Sequence, residues 1–483
     1  MERKELFQLL ENAFGHIPTD GQRNVMTHLA AFLLSNKPNP FYLLKGYAGT
    51  GKTSLVSALV KVLPLLRMRF ILLAPTGRAA KVLTSYSGFI AHTIHRKIYM
   101  QTQTADGSHR IVLSQNKSKR TLFVVDEASM IADTTSDGGL FGGRNLLDDL
   151  IQYVSEGEDC RILMIGDHAQ LPPVGLDISP ALNLQMLKTS YPITAATFEL
   201  TEVMRQALDS GILFNATRLR EKLAANQAEM PLLNLGSFND ITKVDGYELE
   251  ELMQDTFGSR DFTKAVVVCR SNKKANMFNQ AIRQRILGME GEISSGDLLM
   301  AVKNNYYWLE SNEGGGFIAN GDILEITRIK RFEEMYGFNF ADADVKLIDY
   351  PEHPAFEVKL ILETITTDGP ALPEPVFRQL SSAIEEDYLE EPSRRKRYAM
   401  MKKNPYFNAL QVKFAYALTC HKTQGGQWPV VFLEAGINKE EQLDKAYLRW
   451  LYTAVTRATE KLYLMNFIDA FFEQAQAETT KEP

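Results

Sequence analysis

One octapeptide in the sequence carries the residue types that bind a polyphosphate. Residues 46–53 read Gly-Tyr-Ala-Gly-Thr-Gly-Lys-Thr, with an apolar stretch before them at 41–44 and a helical apolar pattern after them at 54–60. A strand, a loop and a helix N-terminus in this order aim backbone N–H groups at one point, and glycines let the loop close around a phosphate. Lys52 is expected to reach the β- and γ-phosphates, and the Thr53 hydroxyl to hold Mg²⁺. A chance glycine-rich turn would lack both flanking elements.

A pair of acidic residues follows another apolar strand. The stretch 121–125 runs directly into Asp126 and Glu127. Asp126 is expected to hold Mg²⁺ through water, and Glu127 to polarise an attacking water. Two acids at a strand end can also be surface decoration, but their pairing with an upstream phosphate loop favours catalysis. Gln170, which follows the strand 161–165, is the candidate for sensing a γ-phosphate or its water.

The elements that position these groups are the strands of an open α/β sheet. Ligand groups in such sheets gather at the carboxyl ends of the strands, and the strand 70–74 ends there in Pro75 and Thr76. Four strand ends at one edge would form a nucleotidase site. Upstream, Thr19 and Gln22 fit a capping box. Gln22 is either a cap residue or a reader of adenine edges, and both interpretations stay open.

Length and composition describe an ordinary globular protein. A chain of 483 residues predicts two to four domains, and 45% hydrophobic with 23% charged residues is typical of soluble proteins. The net charge of −6 argues against a simple basic nucleic-acid coat and is compatible with a local binding channel. The N-terminus lacks the apolar core of a signal peptide, and no stretch is long enough for a membrane span. Three widely spaced cysteines predict reduced core residues without a metal site, and a cytoplasmic protein.

The pattern changes along the chain. Residues 86–120 are polar and basic and predict an inserted hairpin or loop, and a second lobe is expected from about residue 195. Residues 290–410 lose the α/β alternation and predict a small β insert that ends in a charged helical stretch. That stretch contains the basic run 394–397, which is either a solvated helix face or a contact to a DNA backbone.

The order of these motifs resembles that of the superfamily 1 helicases, and within them the RecD-like and Dda-like branch, superfamily 1B. The resemblance covers nearly the whole chain, from Gln22 to Arg457. Its strongest segments are 46–53, 126–130, 166–174, 421–425 and 452–457. The segment from Asn304 to Asp322 is similar to the β-barrel insert of RecD-like proteins. RecD-like members often carry a glutamate where this chain has Gln427.

The resemblance implies an α/β fold of two RecA-like P-loop NTPase lobes with parallel sheets and ATP between them. A pin insertion would interrupt the first lobe, and a β-barrel with a helical segment the second. The expected boundaries are 1–194 for lobe 1A with the pin at 86–120, 195–289 and 411–475 for lobe 2A, 290–410 for barrel domain 2B and 476–483 for a frayed tail.

The resemblance also assigns site residues. The catalytic residues would be Lys52, Glu127, Gln170, Arg205 and Arg457, the two arginines acting as fingers from the second lobe. The contacts to ATP and Mg²⁺ would come from Gln22, Gly46, Ala48, Gly49, Thr50, Gly51, Lys52, Thr53, Asp126 and Gly425. Single-stranded DNA would contact Pro75, Thr76, Thr93, His95, His421, Lys422 and Thr423.

The implied activity is an ATP-dependent DNA helicase that moves 5′→3′ on single strands and acts at junctions between single and double strands, as a monomer. An RNA helicase of the same superfamily is one alternative, and a nucleotide-gated loading protein that clamps DNA without unwinding it is another. No nuclease motif accompanies the motor, and the long N-terminal extension of some RecD-like proteins is not expected.

Overall fold

The strand that leads into the octapeptide lies inside a parallel sheet. A computed structural model of the chain describes residues 1–103, 109–133, 144–203, 209–227, 229–236, 238–309, 317–437 and 439–473. Its first strands are β1 (Pro40–Gly46), β2 (Arg69–Ala74), β3 (Ala91–Thr93), β4 (Tyr99–Gln103), β5 (His109–Leu113), β6 (Thr121–Val125), β7 (Arg161–Gly166) and β8 (Thr194–Leu200). Six of them form the sheet β3-β2-β6-β7-β1-β8, in which all neighbours are parallel. We call this sheet with its helices the first lobe.

Helices cover both faces of this sheet, because its strands are apolar on both sides. They are α1 (Arg3–Phe14), α2 (Asp20–Leu33), α3 (Lys52–Val62), α4 (Gly77–Ser87), α5 (Ile94–Ile98), α6 (Leu146–Ser155) and α7 (Leu184–Ser190). Short 3₁₀ turns occupy Leu63–Leu66, Ala128–Met130 and Pro180–Leu182. Two separate apolar clusters lie on the two faces of the sheet, one under α1–α4 and one under α5–α7.

Two predicted boundaries of the first lobe are wrong. Strand β8 pairs with β1 over its whole length, from Thr194 against Pro40 to Leu200 against Gly46, so the first lobe continues past residue 194. The hairpin within 86–120 is the pair β4–β5 only, because β3 belongs to the sheet and pairs with β2. A strand of three residues is too short to show alternation in the sequence.

A second parallel sheet and a closed barrel form the rest of the chain. The remaining strands are β9 (Ile241–Val244), β10 (Ala265–Cys269), β11 (Leu298–Ala301), β12 (Ile323–Met335), β13 (Phe338–Leu347), β14 (Phe356–Ile361), β15 (Leu410–Phe414), β16 (Ala417–Thr419), β17 (Trp428–Glu434) and β18 (Ala458–Met465). The second sheet has the order β16-β10-β17-β18-β9, and β11–β15 close the barrel. The fold class predicted from the sequence is confirmed.

The helices of this part lie between and around the strands. They are α8 (Gly211–Ala224), α9 (Gly246–Phe257), α10 (Asn272–Ala281), α11 (Glu363–Thr366), α12 (Glu374–Glu386), α13 (Arg394–Met401), α14 (Cys420–Thr423) and α15 (Lys445–Val455), with a π-helical turn at Ile282–Ile286 and 3₁₀ turns at Glu440–Gln442 and Asp469–Phe471. One continuous apolar core joins the second sheet, which with its helices we call the second lobe, to the barrel. Strand β15 carries the barrel past its predicted end at 410.

Two simple features of the described ranges complete the fold. All three cysteines are buried and free. None of the helices in these ranges has both the length and the apolar character that a membrane crossing needs.

The barrel contacts the first lobe through buried charges. The guanidinium of Arg96 donates to Oδ2 of Asp322 at 3.3 Å and lies 3.9 Å from the centre of the Tyr350 ring. Asp349 pairs with Lys81 at 3.2 Å and with Arg78 at 3.6 Å. A side chain at Gly77 would meet Asp322 at 2.7 Å, so the backbone must approach closely here. Both carboxylates are almost fully removed from solvent.

This contact predicts a pH-dependent stability. Burial raises the pKa of Asp322 from 3.8 to about 6, against the opposing effect of Arg96. Between these values the folded state holds a proton that the unfolded state releases, so stability falls as the pH rises from about 4 to about 6, in total by on the order of 3 kcal/mol. Hydrogen exchange of the barrel strands, compared with Asp322→Asn at each pH, measures this loss. Asp344→Asn is the control, because this half-buried residue of β13 pairs with Lys330 within the barrel, and the stability of this variant should depend on pH as that of the parent does. Parallel curves for the parent and Asp322→Asn would contradict the assignment.

Candidate nucleotide-binding cleft

The phosphate loop connects β1 to α3 with its helix N-terminus open. Gly49 and Gly51 adopt φ values of 75° and 83°, in the left-handed region that glycine tolerates. No side chain caps the first turn of α3. The backbone N–H groups of that turn therefore remain available to an anion, as the sequence predicts.

Side chains around the loop hold its shape. The amide of Gln22 is fully buried, accepts from the N–H of Thr19 at 2.9 Å and donates to the carbonyl of Thr50 at 3.0 Å. The capping interpretation of Gln22 is thus confirmed, and the same side chain braces the phosphate loop. Nζ of Lys52 donates to the carbonyl of Tyr47 at 2.7 Å, inside the loop. Thr53 is exposed at the start of α3, where a metal-bound phosphate would lie.

The acidic pair lies at the carboxyl end of β6. Oδ1 of Asp126 accepts from the N–H of Glu127 at 2.8 Å, and Oδ2 accepts from the hydroxyl of Tyr86. Burial raises the pKa of Glu127 to about 7, the neighbouring Asp126 adds to the shift, and Arg457 and Lys52 oppose it. Carboxyl groups with such environments are found at catalytic sites, where the pKa suits proton transfer near neutral pH.

Strand β7 delivers the third group. The side chain of Gln170 is buried, and its Oε1 has no hydrogen-bond partner among the residues that the structure describes. Asp167, three residues earlier, is 1% exposed, and its Oδ1 accepts from the N–H of Ala169 at 2.9 Å. A buried acceptor without a partner is costly, so Gln170 is suited to a ligand or water donor in the cleft.

Helix α15 of the second lobe closes the cleft from the other side. The hydroxyl of Tyr452 donates to Oδ2 of Asp167 at 2.6 Å and accepts from the N–H of Ala48 at 3.0 Å. One residue further, the hydroxyl of Thr453 accepts from the N–H of Leu171 at 2.8 Å. One buried tyrosine therefore connects the phosphate loop, the end of β7 and the second lobe.

Arg457 follows the end of α15, five residues after Tyr452. Its guanidinium is buried and donates to the carbonyls of Thr453 and Gly426, at 2.9 and 3.2 Å. Its positive charge partly opposes the upward shift in the pKa of Glu127. Gly425 packs on α4, where an added Cβ would lie 2.6 Å from Cβ of Ala79. Arg205, the other predicted finger, lies outside the described residues.

A polar cluster that sequence reasoning missed surrounds Tyr47 in the phosphate loop. The Tyr47 hydroxyl donates to Oε1 of Glu199 at 2.9 Å and lies 3.0 Å from Nε2 of His168. The guanidinium of Arg220, on α8, stacks 4.5 Å from the centre of the Tyr47 ring. Tyr452 and Asp167 were missed in the same way, although both stand inside motif segments.

The predicted strand-binding residues divide into accessible and buried ones. Pro75 and Thr76 are half-buried at the end of β2, His421 is exposed, and Lys422 is half-buried. Thr76 also caps α4 by accepting from the N–H of Ala79 at 3.2 Å.

The structure does not support strand contacts by the other three predicted residues. Thr93 and Thr423 are 1% and 0% exposed, and their hydroxyls bond the N–H of Arg96 and the carbonyl of Cys420. His95 packs near Tyr99 and Phe317 in the contact between lobe and barrel, where burial lowers its pKa to about 4.

Two parallel-sheet lobes that meet across one phosphate loop are typical of P-loop NTPases. Comparisons with known proteins agree with this class. Residues 18–231 match the family described as "AAA domain", and residues 414–465 match "UvrD-like helicase C-terminal domain". The chain therefore carries two domains found in helicases, and it is similar to superfamily 1 helicases of the RecD-like and Dda-like branch.

Two curated relatives carry this assignment. The chain is 24% identical to the "ATP-dependent RecD2 DNA helicase" of Deinococcus radiodurans, with 92% of this chain and 50% of that protein aligned. It is 26% identical to the "ATP-dependent DNA helicase dda" of Enterobacteria phage T4, with 58% of this chain and 60% of that protein aligned. The aligned part of the chain thus spans only 50% and 60% of the lengths of these two relatives. A solved Pif1 helicase from Bacteroides aligns over 95% of both chains at 14% identity and a TM-score of 0.45, too low to support a conclusion.

The tyrosine bridge predicts a defect in turnover. Tyr452→Phe keeps the ring and removes both bonds across the cleft, so kcat for ATP hydrolysis should fall by about 10- to 100-fold, the equivalent of one lost hydrogen bond to a charged group. KM for ATP should change little, because the bridge acts on closure. Tyr447→Phe is the matched control, since that hydroxyl bonds the carbonyl of Ala435 within the second lobe. Equal kinetics for both variants would contradict a role of the bridge.

Proposed function

We propose that this chain is an ATP-dependent DNA helicase that moves 5′→3′ along single-stranded DNA and separates duplex DNA ahead of it. The observation that carries the proposal is the shared cleft, in which Tyr452 of the second lobe bonds Ala48 and Asp167 of the first. In the same cleft the charge of Arg457 acts on Glu127. A site completed by two bodies is complete only when they close. Closure and hydrolysis are coupled in such an arrangement, as translocation requires.

The residues of the cleft fit ATP with Mg²⁺. The uncapped N-terminus of α3 and the side chain of Lys52 would hold the phosphates, and Thr53 and Asp126 would hold the metal, Asp126 through water. Bound Mg²⁺ would neutralise charge on the phosphoryl group that passes to water. The unpartnered Oε1 of Gln170 supports its role as the residue that orients this water.

Glu127 and Arg457 have complementary roles in the proposed reaction. Glu127 accepts a hydrogen bond from the attacking water and takes up one proton from it, and its pKa of about 7 suits this transfer near neutral pH. Arg457 stabilises negative charge in the transition state from the opposite lobe, and we assign Arg205 the same role. Such a finger contributes roughly 10³- to 10⁵-fold in rate.

The strand would cross both lobes on the side where Pro75, Thr76, His421 and Lys422 lie. Contacts to phosphates and bases of any sequence suit a motor that must pass over all of them. The proposed motor consists of a first lobe that extends past Leu200, a second lobe and an inserted barrel. It works as a monomer in the cytoplasm.

A tailed-duplex assay tests the activity, the substrate and the direction together. With ATP and Mg²⁺, a duplex with a 5′ single-stranded tail should be separated, and one with a 3′ tail should not. Lys52→Ala should abolish both unwinding and hydrolysis, because the ammonium group that holds the phosphates is removed. Lys61→Ala, on the exposed side of the same helix, is the control and should behave like the parent.

Each of the other possible results of these assays would replace the proposed function with a different one. If neither tail supports unwinding, the chain is not a helicase, and a loading protein remains. If only the 3′ tail supports it, the direction is wrong. ATPase stimulation by RNA single strands alone would replace the DNA assignment with an RNA helicase.

The arginine finger makes a separate prediction. Arg457→Ala should lower kcat for ATP hydrolysis by roughly 10³-fold while nucleotide binding is retained, because the finger acts in the transition state. Arg457→Lys keeps the positive charge and can still donate to some of the same backbone carbonyls. Comparing it with Arg457→Ala separates a loss of catalysis from a loss of folding. Equilibrium binding of a fluorescent ATP analogue and steady-state hydrolysis are the two measurements. Parent-like hydrolysis by the alanine variant would show that the finger is another residue.

A further inference from the structure

A row of basic and aromatic side chains lies on the outside of the barrel and its two helices. We call it the basic track. Its members are Lys303, Tyr307, Arg394, Arg395, Lys396, Tyr398, Lys402 and Lys403. No residue of the track belongs to the nucleotide cleft.

The charge of the track is concentrated on and just after α13. Residues 392–403 include six basic residues and no acidic residue, in a chain of net charge −6. Arg397 has a structural role, because it donates to Glu385 at 3.0 Å and to the carbonyl of Glu391. The side chains of Arg394, Arg395 and Lys403 are exposed, and the exposed Lys396 lies 3.9 Å from a carboxylate oxygen of Glu391.

Aromatic rings alternate with these charges. Tyr398 is 51% exposed, and the ammonium of Lys402 lies 4.9 Å from the centre of its ring. Tyr307 is 38% exposed, and its hydroxyl donates to the carbonyl of Lys403 at 3.1 Å. The ammonium of Lys303 lies 4.9 Å from the ring of Phe377. Exposed rings between cations form the kind of surface on which unpaired bases stack while phosphates bind the charges.

Hydrogen bonds connect the track to the second lobe. Nζ of Lys422, one of the predicted strand contacts, donates to Oδ1 of Asn320. The N–H of Asn320 donates to Oδ1 of Asn304 at 2.7 Å, and Asn304 adjoins Lys303 in the chain. The track therefore begins where the strand contacts of the proposed motor end.

From this continuity we propose that the basic track is a second binding surface for single-stranded nucleic acid, which extends the strand path from the motor over the barrel. This rests on the proposed function only for the strand that enters the motor. A solvated helix face would explain the charges, but it does not require large exposed rings between them. Duplex DNA and an acidic protein are alternative ligands of a basic surface. Neither presents accessible bases that could stack on the exposed rings.

Binding of labelled oligonucleotides without ATP tests the track. The parent should bind an oligomer of about 30 nucleotides more tightly than one of about 8, which is near the length that one binding module covers. Arg394→Glu/Arg395→Glu should weaken binding of the long oligomer about 10-fold and leave the short one unchanged. The slope of log K against log salt should also decrease, by roughly 0.7 for each phosphate that the variant no longer binds.

The controls separate charge from folding. Arg3→Glu/Lys4→Glu makes the same change at the first two positions of α1 and should bind like the parent. Carboxylates at a helix N-terminus interact favourably with its dipole, so both double variants should fold. Tyr398→Ala should weaken binding of the long oligomer selectively, and Tyr398→Phe should restore it.

The outcomes are distinct from those of the helicase assay, because this measurement needs no hydrolysis. Parent-like binding of the long oligomer by the Arg394/Arg395 variant would contradict the proposal that the basic track binds single strands. So would an equal decrease for both lengths, or an equal decrease for blunt duplex, which would indicate general charge attraction. A decrease confined to the long single strand supports the proposal even if unwinding is never observed.

Discussion

A buried phenol holds the two lobes in register at the phosphate loop. The Tyr452 hydroxyl is a donor to a carboxylate of the first lobe and an acceptor from the backbone of the loop itself. Without this hydroxyl the buried carboxylate of Asp167 would lose a partner, and a buried polar group left unsatisfied costs about 1–3 kcal/mol. At the phosphate loop, the contact between the lobes thus uses one side chain that satisfies two partners at once, and the bond from the Leu171 N–H to the Thr453 hydroxyl adds to it. The position of Arg457, five residues further along the same chain segment, depends on this contact.

The electrostatics of the cleft have the same origin. Glu127, Asp126 and Asp167 gather negative charge at the strand ends, and Lys52 and Arg457 oppose it from two directions. A lobe that withdraws takes Arg457 with it and leaves the carboxylates less compensated. The protonation and the reactivity of Glu127 are thus properties of the closed pair of lobes and not of the first lobe alone.

The sequence predicted the parts that follow from local pattern. The phosphate loop, the acidic pair and Gln170 each follow a continuous apolar strand. Parallel topology brings the ends of such strands together. The buried state of Thr93 and Thr423 was not predictable, because a threonine that bonds a nearby backbone group and one that faces a ligand look alike in sequence. The bridge by Tyr452 depends on the relative placement of the two lobes, which no local pattern records. The boundary at 194 failed because β8 joins a sheet whose other strands are far away in the chain.

The junction between barrel and second lobe has a mechanical consequence. Strand β15 ends at Phe414 in the barrel and β16 begins at Ala417 in the second sheet, so two residues, both buried in the shared core, separate them. Because bending at such a joint would open the core, we expect the barrel and the second lobe to move together as one arm. Any rotation that opens the nucleotide cleft must then drag the barrel across the first lobe, where Arg96 and Lys81 meet its carboxylates. The position of the barrel relative to the first lobe therefore reports whether the nucleotide cleft is open or closed, at a distance from the phosphate loop.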